Sequence, residues 1–414
     1  MTPMTRSSIT LAGPVAETPR KLELAPDRRE HGEPGQPAVF QSSCPACGRY
    51  HSLLQIGAAL AIVAYHVGVR GTSAGWIAVE IFFVLAGYRM SHSLTRYSSA
   101  LEYVGSRVRR LAPEIGVVWV ICIGALLAGW QPFNLWLFLG SAPLFMQNFM
   151  EPLWSFESNE NWTFLTAMWF AAALLQLQLL FVLLRRFLAR GRTSLLLSFG
   201  LAGGICSRLL LASQVGPLQR DLPLGDAYIL YVMPLTHLEP ITLGFVLGRC
   251  PWPWRSGLSS VVMLVVLALG TLNFAYADGT MPVTSFGFPA AMRFNYQYLW
   301  GYPVLAALVA MLCAPNSPLA TAVQSVQLAG PVERAIAKLA SLTYGVYVFH
   351  GLFLAFLWPA SADSMAGRLG AFLITAIVTF LAAWVFQTFR SRVTELWQRR
   401  AGRLPLHRRH AHRC

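Results

Sequence analysis

His66 closes the apolar run QIGAALAIVAYH, and Glu80 lies just beyond the short GTSAG turn that follows it. A carboxylate beside an imidazole fixes its tautomer and stabilises its charged form, as a general base requires. Across so short a turn the two can meet. His237 and Glu239 in PLTHLEPITLG can line the same cavity, or Glu239 can cap the break that Pro240 causes. Tyr344, Tyr347 and His350 recur at intervals of three in SLTYGVYVFHGL, which keeps them on one broad helix face. Each set also has a bland reading, as hydrated groups at an interface or as tyrosine packing. Ionisable groups within apolar runs are costly, and that favours function.

The elements that must carry these residues follow from composition. Hydrophobic residues make up 55% of the 414-residue chain and charged ones only 12%, with a mean hydropathy of +0.50. A soluble chain carries roughly twice that share of charge. Apolar blocks run at 52–70, 76–95, 112–131, 133–150, 163–184, 195–213, 226–248, 257–275, 296–314, 339–358 and 367–389. At about 18 to 24 residues each, they can cross ~30 Å of hydrocarbon. The fold class is an all-α polytopic membrane protein. The formal charge of +14 does not point to nucleic acid, because the basic residues gather where the chain leaves the membrane.

Residues 1–48 are polar, Pro-rich and aperiodic, and read as a disordered cytoplasmic tail. They lack a signal-peptide core and cleavage site, so the tail is expected to be retained. The seven cysteines are scattered. Cys44 and Cys47 form a lone CxxC that lacks the second pair of ligands a structural zinc needs, and no metal is expected there even with His51 nearby.

Short cytoplasmic loops are enriched in Arg and Lys. SRVRRLAP, with Arg107, Arg109 and Arg110, puts the loop after the second block inside, and the N-terminus with it. If every block crossed, Arg185, Arg186, Arg190 and Arg192 would face outward. Block 133–150 contains Pro143, Gln147 and Asn148 and is the least purely apolar. Without it, that loop returns inside, as do Arg249, Arg255, Glu333, Arg334, Lys338 and the basic tail 391–414. The outer loops then hold Glu151, Glu157, Glu160 and Asp278, with Arg220 and Arg293 as the basic exceptions. The expected architecture is about ten transmembrane helices within 49–390, with both termini cytoplasmic and 133–150 re-entrant or on the outer surface.

Five short patterns follow one another in order. QIGAALAIVAYH carries Gln55 and His66, and VEIFFVLAGY carries Glu80, Phe82, Phe83 and Gly87. Arg107, Arg110, Leu111 and Pro113 spell Arg-x-x-Arg-Leu-x-Pro. AMWFAAALLQ carries Trp169, Phe170 and Gln176, and TYGVYVFH carries Tyr344, Tyr347 and His350. Together, from about residue 50 to 390, these stretches resemble the membrane-bound acyltransferase 3 family, which moves acyl groups onto sugars and other hydroxyl acceptors. Gln55 stands where the family has Arg, Ala86 and Thr343 where it has Ser, and Ala167 where it has His.

The resemblance implies a bacterial inner-membrane O-acyltransferase that moves an acyl group, expected to be acetyl, from acyl-CoA to a hydroxyl of a cell-surface or exported carbohydrate. Acyl-CoA is then a co-substrate, with no tightly bound cofactor. Its phosphates would meet Arg107 and Arg110, whose guanidinium groups suit bidentate contacts. His66 would take the acceptor's proton, with Glu80 as its partner. Gln55 and His66 are eleven residues apart, a net rotation of about 20° and a rise of ~16 Å, so they face the same way like two stations on one groove. Gln55 belongs to the donor end but carries no charge to pair with a phosphate. Trp169, Gln176, Tyr344, Tyr347, His350, His237 and Glu239 are expected to line the acceptor cavity. The partners are the lipid bilayer and the hydroxyl acceptor, not nucleic acid. A secondary metabolite such as a macrolide, or a glucan to be succinylated, fits the same pattern. The alternative class is a transporter or a catalytically degenerate membrane scaffold. No repeat relates 50–220 to 226–390, which weighs against a transporter, whereas Gln55 is a change that a scaffold would carry.

Overall fold

The computed structural model describes residues 45–69, 72, 75–97, 99–129, 139–149, 168–190, 192–218, 230–249, 297–357 and 364–402. Cys44, Ala167, block 257–275 and the outer residues Glu151, Glu157, Glu160, Arg220, Asp278 and Arg293 lie outside this set. Among the described residues all regular structure is helical. The main helices are α1 (Pro45–His66), α2 (Ala78–Ser93), α3 (Ala100–Leu127), α4 (Trp169–Leu183), α5 (Arg185–Arg190) and α6 (Thr193–Leu218). They continue with α7 (Leu238–Arg249), α8 (Gln297–Cys313), α9 (Pro318–Ser325), α10 (Gly330–Leu357) and α11 (Met365–Gly402). Among the described residues four stretches, Ala100–Leu127, Thr193–Ser213, Gly301–Ser325 and Met365–Arg399, are long and apolar enough to cross a bilayer. The third joins α8 to α9 across a short break. The chain is a multi-pass membrane protein. Val120, Leu210, Ile377 and Val385 lie exposed on the long helices, where lipid is the solvent.

Sequence chemistry sets the helix ends. Ser99 caps α3, its Oγ accepting from the N–H of Glu102 at 3.1 Å. Ser317 caps α9 in the same way, with Pro318 at the first helical position where its missing N–H costs nothing. The last carbonyls of α8 are orphaned by helix geometry and are taken up by α1: Tyr50 donates to Leu312 O at 2.5 Å and His51 Nε2 to Cys313 O at 2.9 Å. Arg49 does the same for α9, donating to Val323 O at 2.6 Å and Gln324 O at 3.0 Å. The start of α1 is thereby fixed against the ends of α8 and α9.

At the other end of α1, Arg368 near the start of α11 donates to Gly68 O at 3.0 Å. α11 then runs back to the first end, where Arg390 bonds the carbonyl of Arg109 on α3. It continues unbroken to Gly402, so the first part of the basic segment 391–414 extends this helix.

Among the described residues the closest helix pair is α2 with α7. A Cβ at Gly87 would lie 2.0 Å from Ile241 O, and one at Gly244 would lie 1.9 Å from Val84 O. Only glycine permits that approach, which brings two backbones into direct contact. α6 and α8 flank α7, while α1 packs between α2 and α10. Residues 139–149 form short helical turns rather than one helix, broken at Phe145 in the left-handed region (φ 53°). Trp119 of α3 donates to Leu139 O at 2.9 Å, so protein side chains serve this backbone.

Candidate active site

His66 is the last residue of α1 and is half-buried. Its ring lies 5.1 Å from that of His350 and 5.2 Å from that of Tyr65. Its nitrogens make no hydrogen bond to any described residue. His350, fully buried on α10, bonds through Nδ1 to Tyr347 O at 2.5 Å. A carbonyl only accepts, so the proton is on Nδ1 and Nε2 is left as a buried acceptor with no partner among the described residues. The pair thus sets a free, partly accessible imidazole against one whose tautomer is fixed. Tyr347 lies beside His350, with its ring 5.7 Å from that imidazole and 5.0 Å from Phe170.

Glu80 does not turn toward His66 as the hairpin suggested. Its Oε1 lies 3.0 Å from Nδ1 of His237, with both side chains buried. The physical reason is the α2–α7 seam, whose glycines bring the 3-10 turn Pro234–His237 directly over the start of α2. The contact is close enough for an ion pair but lies off the line of a hydrogen bond. His237 Nε2 donates to Tyr231 O at 2.5 Å. Nδ1 of His237 is thereby turned toward the Glu80 carboxylate. Aromatic rings enclose the imidazole: Phe83 stacks on His237 at 4.5 Å and Trp169 at 5.4 Å, while Tyr231 and Tyr302 stand edge-on.

A second buried ion pair lies behind Tyr302. Arg208 of α6 grips Glu239 of α7 with both terminal nitrogens, Nη1 to Oε2 at 3.2 Å and Nη2 to Oε1, and also donates to Thr236 O at 2.7 Å. Its guanidinium covers the Tyr302 ring at 4.9 Å. Glu239 is therefore a partner of Arg208 and not simply a cap for the Pro240 break. Gly204 leaves the space for it, since a Cβ there would fall 2.1 Å from Oε2.

Gln176 on α4 exchanges hydrogen bonds with Asn148, donating at 2.9 Å and accepting at 3.1 Å, and also donates to Phe145 O at 2.8 Å. Its amide holds the 139–149 segment against α4. Gln55 is buried on α1. At the end of the bundle away from His66, Arg107 donates to Ser93 Oγ at 3.1 Å and lies 4.8 Å over Tyr103. Arg110 is exposed beside Tyr344, whose hydroxyl donates to Leu111 O at 3.0 Å.

The predicted residues thus divide. His66, Tyr347 and His350 come together, as do Glu80, His237 and Trp169. Tyr344 joins Arg107 and Arg110 at the opposite end, and Gln176 and Glu239 are occupied by their own partners. Sequence reading overlooked Arg208, Arg89, Tyr231 and Tyr302. A lone Arg in GICSRLLLAS was the available signal, because a charge inside an apolar block demands an opposite one.

The family model for the acyltransferase domain, acyltransferase 3, matches residues 50–388. The chain belongs to the acyltransferase 3 family. The match starts at Tyr50 in α1 and reaches Thr388 in α11, so it takes in both histidine centres and the basic end of this acyltransferase. No curated protein and no solved structure matches the chain.

Proposed function

We propose that this acyltransferase transfers an acetyl group from acetyl-CoA to a hydroxyl of a cell-surface or exported carbohydrate, with His66 as the general base. The observation that carries this reading is the contrast among imidazoles. His51, His237 and His350 each spend a ring nitrogen on a backbone carbonyl, and His237 also faces Glu80. His66 and His92 are half-buried with their nitrogens unengaged by any described residue, and of the two it is His66 that stands against a second imidazole, 5.1 Å from His350. A base needs a lone pair that the substrate can reach. His66 would take the hydroxyl proton as the acceptor oxygen attacks the thioester carbonyl. The carbon–sulfur bond then breaks, the thiolate leaves, and the proton passes to the sulfur to give free CoA and the ester. Arg107 and Arg110 would hold the donor's phosphates.

In this reading the chain crosses a bacterial inner membrane about ten times with both termini in the cytoplasm. The arginine end faces in, and residues 133–150 do not cross. Reporter fusions after Arg192, after Asp278 and at the C-terminus are expected to report inside, outside and inside. An outside signal at Arg192 would mean that 133–150 spans.

Gln55 favours a second reading, a membrane scaffold that has lost the reaction. Surface glycan from cells with and without the gene separates the two. Loss of an ester that returns with the wild-type gene, but not with His66→Ala, supports catalysis. Unchanged esters across the set would leave the scaffold.

A further inference from the structure

The inner ends of α2 and α3 bring three guanidinium groups together. Arg89 is half-buried one helical turn before Ser93, the end of α2, whose Oγ accepts from Arg107 Nη2 at 3.1 Å, and Arg110 follows Arg107 by three residues on the same side of α3. Arg107 has Nη2 on Ser93, while its buried Nε has no partner among the described residues. Arg89 and Arg110 make no hydrogen bond or ion pair to any described residue. The carboxylate acting on Arg110 is Glu114, which is already bridged to Arg390 at 3.4 Å.

Three positive groups that share so little negative charge repel one another at a partly dehydrated helix end. A multiply charged oxyanion removes that cost, and guanidinium forks match its geometry. Tyr88, the residue before Arg89, sets its ring edge-on to that of His51 on α1 at 4.8 Å, so the charge of Arg89 stands close to this part of α1. His51 precedes Gln55 by one helical turn, so Arg89 brings charge to the side of α1 where Gln55 has none.

We propose that Arg89 joins Arg107 and Arg110 in one site for phosphate oxygens, those of a CoA donor or of an anionic lipid headgroup. For the donor, this rests on the acyl-CoA reading above. The full-length protein in phosphatidylcholine nanodiscs is titrated with CoA by calorimetry. A parallel set containing phosphatidylglycerol is examined for retained lipid by native mass spectrometry. Arg89→Gln is expected to weaken CoA binding roughly tenfold or more, with Arg89→Lys weakened less because it keeps a point charge. If Arg107→Ala weakens CoA binding and Arg89→Gln does not, Arg89 is outside the site while the donor reading stands. If CoA binding ignores all three variants but Arg89→Gln loses phosphatidylglycerol, the site holds a headgroup and the donor reading fails here. Indifference of both ligands to Arg89 overturns the proposal. Phenylglyoxal modification of the wild-type protein gives an answer independent of variant folding. CoA or phosphatidylglycerol should slow labelling of Arg89, and no protection by either would also overturn it.

Discussion

Arg390 of α11 donates from Nη2 to the carbonyl oxygen of Arg109 at 2.8 Å, the acceptor that Pro113 deprives of its helical partner. Its Nη1 reaches Arg110 O and Glu114 Oε1, both at 3.4 Å. The proline of the Arg-x-x-Arg-Leu-x-Pro pattern therefore opens a docking point for the last helix, one turn from the basic cluster.

That relationship makes a double-mutant cycle informative. Arg390→Ala should destabilise the protein by about 1–3 kcal/mol, since it removes a charged donor from an otherwise unpaired carbonyl. In a Pro113→Ala background the helix regains its own N–H, and the same change should cost much less. Thermal unfolding of the four proteins in nanodiscs measures the difference. Equal costs in both backgrounds would show that Pro113 and Arg390 act independently.

His66→Ala should lower acyl transfer by about 10²–10⁴-fold, the usual contribution of a positioned base. Because His66 is half-buried and makes no hydrogen bond to a described residue, the variant should unfold near the wild-type temperature. Transfer assays on purified protein with labelled acetyl-CoA, read beside a melting curve, test both halves. Wild-type rates would remove His66 from the reaction.

Glu80 should behave differently. Breaking a buried ion pair by removing one partner costs roughly 3–5 kcal/mol, so Glu80→Ala is expected to reduce folded yield and stability as well as activity. Glu80→Gln should be milder, since the amide keeps an oxygen acceptor facing Nδ1 of His237. A Glu80→Ala protein that is stable but inactive would instead place this carboxylate in the chemistry.

Arg208 and Glu239 allow a third comparison. Arg208→Met alone or Glu239→Leu alone leaves a charge buried without its counter-ion, whereas the double variant leaves none. The double variant should be more stable than either single one. Detergent-solubilised yield and melting temperature rank the three.

Much of the helical layout was readable because lipid demands long apolar runs, but the starts of α3 and α9 were not: Arg107, Arg109 and Arg110, read as a loop, lie inside α3, which begins at Ala100 behind the Ser99 cap, and Ser317 caps a helix at Pro318–Ser325 that falls outside every apolar block. Side-chain partners were harder to foresee. Glu80 and His66 are near in sequence, so their meeting was the natural expectation. Its actual partner, His237, is set by where α7 packs, and that depends on Gly87 and Gly244, whose spacing reveals little until the two helices are superposed. Tyr344, Tyr347 and His350 share a helix, yet Tyr344 points to Leu111 at one end of the bundle while His350 meets His66 at the other. A three-residue period describes a face but not the distance a helix travels along it.

The glycine contact between α2 and α7 has a consequence for biogenesis. α2 leaves the ribosome early, and α7 follows only after more than 140 further residues, counting from Ser93 to Leu238. Until then Glu80 lacks His237, and the groove at Gly87 is unfilled. A nascent chain arrested before α7 would expose a buried-type carboxylate within lipid, the kind of lesion that membrane quality-control proteases can grip. Commitment of the N-terminal hairpin to its final place is therefore a late event in synthesis, timed by the arrival of a helix from the second half of the protein.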